Sequence, residues 1–321
     1  MRKMGIPIGV RSTYLFGKET SFGTGGTANK DIGLVQSFDI SPDVNLTEHS
    51  GQGQAQAVAI KNGIVTPKGS YDIEYQHGRI LEWAFFGGTT THVASTLDCT
   101  HTFVWSNVLP SLAWEASHEQ GATDIGHAGT GLIFGSSTIS STLEGVVKVS
   151  GDWVAKTLDA DTAAATAAVV NAGRTIGGFE SSMSIGGSTV GYTQSWDMTM
   201  NANSKILHGQ GSRVPLDGSS HLRSVSFKAK VAFENTTQLA RVLGSASAIT
   251  ATEPATYAVT LAADNGTALG SGKRALTMNL TGCQMKYSLT AQKNDFVMYT
   301  LDGMGILSSG TAVDQVLEAA W

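Results

Sequence analysis

A chain of 321 residues with a net charge of −5 can bury a substantial core, and it has no global basic field of the kind that marks nucleic-acid binders. Only 15 % of its residues are charged, well below the roughly 25 % usual for soluble proteins, so much of the surface falls to Ser, Thr, Gly, Ala and Asn and is suited to being covered by neighbours. With 38 Gly, 6 Pro and two cysteines, Cys99 and Cys283, the composition favours short strands joined by tight turns, excludes a disulfide framework and agrees with a reducing cytosolic origin.

Taken in chain order, Met1-Arg2-Lys3-Met4 is a charged start with no following apolar run of signal-peptide length. No stretch approaches the ~18 apolar residues of a membrane span. Asn45-Leu46-Thr47 and Asn279-Leu280-Thr281 match a glycosylation sequon and, without a secretion signal, are read as chance. Gly23-Thr24-Gly25-Gly26-Thr27 looks like a phosphate cradle but lacks the Lys and precedes no convincing helix, so a plain turn is the preferred reading.

The first clear strand carries Phe38 and Ile40 on one face and Asp39 on the other. A long polar, Gly-rich loop spans Pro42–Lys68. Gly69–Tyr75 then alternates, with Tyr71, Ile73 and Tyr75 inward against Ser70, Asp72 and Glu74. Ile80, Leu81, Ala84 and Phe85 cover one face of a short helix over Gly78–Phe86, which Gly87 stops. Further strands are expected at Thr100–Trp105, Ser141–Val149 and Trp153–Thr157. Asp159–Ala172 is the expected boundary between halves, as helix or plain connector.

The second half repeats this order. Gln36-Ser37-Phe38-Asp39 and Gly51-Gln52-Gly53 are answered by Gln194-Ser195-Trp196-Asp197 and Gly209-Gln210-Gly211, at one offset of 158 (194 − 36 and 209 − 51). The offset carries the strand Phe38, Ile40 onto Trp196, Met198 and the strand Tyr71, Ile73, Tyr75 onto Ala229, Val231, Phe233 within Ser224–Phe233. In/out phase is kept throughout, which chance would not maintain. A loop over Asn201–Leu222 matches the first long loop, and such loops usually have a job or are disordered. Asn235 or Thr236 can cap a helix through Leu239, Val242 and Leu243 that Gly244 ends. The remaining strand candidates are Tyr257–Leu261, Arg274–Leu280, Gln284–Thr290 and Phe296–Leu301. A second offset of 143 (295 − 152) matches Asp152-Trp153-Val154 to Asp295-Phe296-Val297 and Thr157-Leu158-Asp159 to Thr300-Leu301-Asp302. It implies about fifteen extra residues inside the first copy. The fold expected is mainly β: two tandem antiparallel β-sandwich or barrel domains, residues 1–160 and 173–321, each with one short helix and related by internal duplication.

Catalytic patterns are missing. Neither a G-x-S-x-G elbow nor a phosphate loop occurs. His118-Glu119 opens a zinc-protease motif that fails at Ala122. His92, Asp98, Cys99 and His101 are the one cluster of metal-ligand types; the second copy has no counterpart, so solvated loop or interface residues are preferred to a metal site. The carboxylates are scattered singly. The aromatics sit at inward positions and read as core, not as a stacking platform for single-stranded nucleic acid. No enzyme, cofactor or metal is expected.

The opening Tyr14-Leu15-Phe16-Gly17-Lys18-Glu19-Thr20-Ser21-Phe22-Gly23-Thr24 resembles the start of phage tail tube proteins. The run from Gly51-Gln52-Gly53 through Gly69-Ser70 to Leu81-Glu82-Trp83-Ala84-Phe85-Phe86-Gly87 is similar to that family's loop, strand and helix, and Gly209–Arg213 through Leu239–Gly244 repeats it. The resemblance implies β-sandwiches or barrels whose sheets combine around a ring, three duplicated chains forming a pseudo-sixfold trimer. Rings then stack into the conduit by which the genome leaves the virion, with the long loops and the N-terminal arm joining successive rings. The implied partners are further copies of the chain, the tape-measure, tail-terminator and baseplate proteins, and passing double-stranded DNA held without specific binding. Assembly would take place in the host cytoplasm, with no membrane involved. The middle segment Gly88–Ser137 and the tail after Leu301 depart from the family, leaving surface decoration or a sheath contact open.

On these grounds Gly51, Gln52, Gly53, Gly209, Gln210 and Gly211 are expected at ring-stacking loops. Asp72 corresponds to Lys230, and Ser70 to Lys228, so Asp72, Lys228 and Lys230 are candidate contacts between unlike halves of adjacent chains, against a reading as ordinary solvated charges. Asp39 and Asp197, at matching outward positions, are candidates for a weakly acidic lumen that repels phosphates. The alternative function is a β-sandwich baseplate or fibre module recognising a host ligand, for which Trp105 and Trp114 are the best candidate patch. A third reading, a metal-dependent hydrolase at His92 and His101, requires bound metal.

Overall fold

The computed structural model describes residues 12–49, 59–88, 91–95, 98–118, 125–162, 175–232, 237–245, 249, 255–266, 275–290 and 296–317. The fold is mainly β. In the first half the strands are β1 (Ser12–Lys18), β2 (Leu34–Phe38), β3 (Val44–His49), β4 (Ala59–Val65), β5 (Lys68–Glu74), β6 (Thr91–Ser95), β7 (Asp98–Val104), β8 (Leu112–His118), β9 (Ile125–Thr142), β10 (Lys148–Val154) and β11 (Asp159–Thr162). In the second half they are β12 (Ser181–Ile185), β13 (Ser188–Thr189), β14 (Thr193–Asn201), β15 (Lys205–Leu207), β16 (Asp217–Ser219), β17 (Ser224–Ala232), β18 (Tyr257–Asp264), β19 (Ala275–Thr290) and β20 (Met298–Leu317). Helix α1 (Arg79–Leu81) runs on as a π-helical turn over Glu82–Phe86, and α2 (Thr237–Leu243) answers it. No helix among the described residues is long and apolar enough to cross a membrane.

One large sheet carries the order β13-β12-β18-β19-β20-β17-β14-β9-β10-β5-β2. Its centre is the antiparallel pairing of β9 with β14, from Ser195↔Thr142 to Asn201↔Ser136, which fuses the two halves edge to edge. β9 is long enough to serve two layers. Its N-terminal part pairs with β8, and β8 with β1, while its C-terminal part pairs with β10 and β14. Between the layers Phe38 stacks on Trp153 (5.1 Å, 6°) and meets Phe16 at 5.6 Å and Trp114 at 5.9 Å. Gly69 is required beneath them, because a Cβ there would strike the Asp39 carbonyl and the Trp153 indole.

The offset of 158 is visible in the pairing as well as in the residues. β2–β5 slips register between Val35 and Ser37, and β14–β17 slips between Thr193 and Ser195. The inward sets agree: Tyr71 and Ile73 are buried, as are Ala229 and Val231. Gly87 (φ 71°) and Gly244 (φ 84°) both end their helices in the left-handed region. The long loops Pro42–Lys68 and Asn201–Leu222 are not structureless: each contains a small separate hairpin, β3–β4 and β15–β16.

The offset of 143 is corrected. Lys148 pairs with Glu74 and Met298 with Ala232. Glu74 and Ala232 are 158 apart (232 − 74) while Lys148 and Met298 are 150 apart (298 − 148), so β10 answers β20 at 150. The offsets of 143 and 150 differ by seven (150 − 143), an odd number of residues, which would exchange inside for outside. Trp153 is 1 % exposed, whereas its supposed counterpart Phe296 is 80 % exposed. Several boundaries also move. Ser141–Val149 is not one strand, since a turn closed by Gly145 N–H donating to the Thr142 carbonyl divides β9 from β10. Arg274–Leu280 and Gln284–Thr290 are one bulged strand, β19. β20 continues well past Leu301, pairing with the N-terminal part of β19 and with β7. The middle segment and the C-terminal tail are thus zipped to each other. The Asp159–Ala172 boundary begins as strand β11, and residues 163–174 lie outside the described residues.

Candidate assembly surfaces

Strand alternation sends one set of side chains from the large sheet into the core and the other set to an open face. That face is polar. A single transverse row crosses seven strands through the pairs Lys286↔Asp302, Asp302↔Lys228, Lys228↔Asp197, Asp197↔Ser140, Ser140↔Lys148 and Lys148↔Glu74. Lys286 reaches Asp302 at 3.2 Å and Lys148 reaches Asp72 at 3.4 Å. Both pairs are solvent-accessible and each contributes little to stability, on the order of 0–1 kcal/mol.

The candidate residues fall into this frame as follows. Asp39 is exposed at the rim of the face, accepting a 2.5 Å hydrogen bond from Ser70 Oγ. Asp197 is half-buried on β14, beside Lys228. Asp72 lies on β5 between β2 and β10, and Lys228 and Lys230 lie on β17 between β14 and β20. Their strands are flanked on both sides within the chain: Asp72 is paired with Lys148, Lys228 lies between Asp197 and Asp302, and Lys230 lies between Ser195 and Thr300. Gln210 and Gly211 are exposed at the turn between β15 and β16, where Gly211 takes φ 84°. Gly209 packs in that turn against Leu216. Gly51, Gln52 and Gly53 lie outside the described residues.

Both hairpins carry apolar side chains into solvent: Leu46, Ile60 and Ile64 on β3–β4, Leu207 and Leu216 on and beside β15–β16. They are tied together where Val65 N–H donates to the Arg213 carbonyl, Arg213 Nε donates to the Gly63 carbonyl, and Thr66 Oγ1 meets His208 Nε2 at 3.0 Å. Sequence reading missed this pairing because the partners lie about 150 residues apart.

Burial raises the pKa of Asp197; Lys228 opposes the shift and Asp302 adds to it. Since folding raises this pKa, the protonated form favours the fold, and that stability is lost as pH rises from about 3.9 through the folded value. Asp197→Asn is therefore expected to raise the thermal midpoint of the unassembled chain at pH 7 and to change nothing below about pH 3. A lower midpoint at pH 7 would show that attraction to Lys228 outweighs burial.

Trp114 is buried in the core at 1 % exposure, and the Arg223 guanidinium covers the Trp105 ring at 3.5 Å, so neither forms an open aromatic patch. His101 is buried on β7, paired in register with His92. No group of three metal-capable side chains converges among the described residues. Gly23 and Gly25 sit in tight turns, with Gly23 N–H donating to the Glu19 carboxylate.

No curated protein matches the chain. Residues 9–304 match the family model described as phage tail tube protein, nearly the whole length and both halves of the sheet. The chain belongs to the phage tail tube protein family.

Proposed function

We propose that this protein is a self-assembling structural subunit whose copies close into rings, and that stacked rings form the conduit for genome delivery. The observation that carries this reading is the chain-long sheet in which the first half joins the second edge to edge, with family membership across the same span. Elements recurring at an offset of 158 support two tandem units, residues 1–160 and 173–321, descended from one. Three such chains would supply six units, a trimer with pseudo-sixfold symmetry.

In this reading the polar face of the sheet lines the lumen, with Asp39 and Asp197 part of a weakly acidic wall along which duplex DNA slides. Asp72, Lys228 and Lys230 belong to the same face, where they set its charge pattern and help to order unlike halves around the ring. The β3–β4 and β15–β16 hairpins, with the loops through Gly51-Gln52-Gly53 and Gly209-Gln210-Gly211, reach the next ring, where their exposed Leu and Ile side chains become buried. Tape-measure, tail-terminator and baseplate proteins would bound the stack, in a virion tail assembled in the host cytoplasm.

Negative-stain microscopy of the purified protein tests the proposal. Discrete rings or striated hollow filaments are expected, and a chain that stays monomeric at high concentration would refute it.

A further inference from the structure

The internal junction between β9 and β14 has two unfilled counterparts. β14 is flanked by β17 and β9, whereas among the described residues its counterpart β2 pairs with β5 alone. Asp39 N–H donates to Ser70 O and Ser41 N–H to Lys68 O, both toward β5. By strand alternation the amides of Phe38 and Ile40 point the other way, where no described strand pairs. At the opposite end, among the described residues, β18 covers β19 as far as Tyr257↔Cys283, and Lys286–Thr290 pairs with β20 alone. Their counterparts in β9, 150 residues earlier, are the stretch that pairs with β14. Burial points the same way. Ile139 and Met198, directly opposed in the internal junction, are both 0 % exposed. Leu289, the counterpart of Ile139, is 50 % exposed.

We infer that β19 of one chain pairs antiparallel with the β2 edge of a second copy, in the register of the internal junction. Carrying each side across by its own offset sets Asp39 opposite Thr290, Ile40 opposite Leu289, Ser41 opposite Ser288 and Asp43 opposite Lys286. Ile40 and Leu289 then cover each other as Met198 and Ile139 do. Asp43, paired in the chain with Lys68 at 2.7 Å, and Lys286, paired with Asp302 at 3.2 Å, then extend these ion pairs across the junction where the internal one has Asn201 and Ser136. Pro42 stands where the internal junction has Met200; with no N–H to give, it thins the ladder at its end. The contact is head-to-tail, so repetition closes a ring when the rotation permits. The inference rests on the self-assembly proposed above and names the surface through which it occurs.

Ser41 and Ser288 supply the test. Their internal counterparts Thr199 and Thr138 face each other with hydroxyls 2.8 Å apart, a non-hydrogen-bonded pair with side chains close enough for a disulfide. The double variant Ser41→Cys/Ser288→Cys, oxidised after assembly, is expected to give a ladder of linked chains on non-reducing gels. Neither single variant should do so, which also controls for Cys99 and Cys283. In wild-type assemblies the amides of Ile40 and Leu289 should exchange hydrogen slower than in the isolated chain by roughly an order of magnitude or more. Assembled rings without that protection, or equal linking from Asp39→Cys with Ser288→Cys, would overturn the register while leaving ring formation standing. A wild-type chain that never assembles would remove both. Should the cysteine variant fail to assemble, the wild-type exchange measurement decides.

Discussion

Replacing Phe38 by Ala is expected to destabilise the unassembled chain by about 3–5 kcal/mol, read as a lower urea midpoint with an unchanged slope. Phe38 is where two layers meet. Its ring stacks on Trp153 of β10 and touches Phe16 and Tyr14 of β1 and Trp114 of β8. Truncation would leave a void bounded by large rigid rings, which collapse poorly around a vacancy. Strand β1, paired with β8 on one edge and bridged from Phe16 to Lys30 on the other, should loosen with it and become sensitive to protease first. A loss under about 1 kcal/mol would mean that β1 and β8 do not rest on this aromatic cluster.

The second large effect concerns a charge pair inside the first half. Arg79, 2 % exposed at the start of α1, donates from one nitrogen to the Asp31 carboxylate at 2.6 Å and to the Asp31 carbonyl at 3.1 Å. The His77 ring lies 3.3 Å from the same carboxylate. Burial pulls the Arg79 pKa down, and Asp31 with Glu82 pulls it back up. Asp31→Ala is expected to cost about 3–5 kcal/mol, because the buried guanidinium then loses the carboxylate that does most to offset its desolvation. The double variant Asp31→Leu/Arg79→Met should recover much of that loss, since removing both charges also removes their desolvation. Unfolding measurements on the four chains of the cycle give the coupling directly; purely additive losses would show that the pair is not the unit. The second half has no such pair at the corresponding place, since Arg79 maps onto Thr237.

Much of the local structure was legible in the residues. The period-two runs around Tyr71 and Val231, the helices and their terminating Gly87 and Gly244 are properties of a few neighbours, and they appear where alternation and glycine chemistry put them. The offset of 158 reached further, because a strand slipped by one residue would turn Phe38 or Trp196 outward. The later offset failed for the same reason. Asp-aromatic-Val matched at 143, but the exposed Phe296 shows that chemical likeness without a partner strand does not set register. Glycine-rich stretches read as loops proved to hold paired strands, since Leu46 and Ile60 take their partners from the opposing strand and not from a core.

Sequence alone determined that this is a mainly β and weakly charged chain, because alternation, turn residues and composition act within a few positions. Only the tertiary structure decided that the first half continues into the second through β9 and β14, that the tail zips onto the middle segment, and which edges stay open. These strand pairings join residues from 53 (195 − 142) to 219 (317 − 98) apart, through backbone groups that every residue shares. Side-chain identity therefore says which face a strand buries, while its neighbour is chosen by the path of the whole chain.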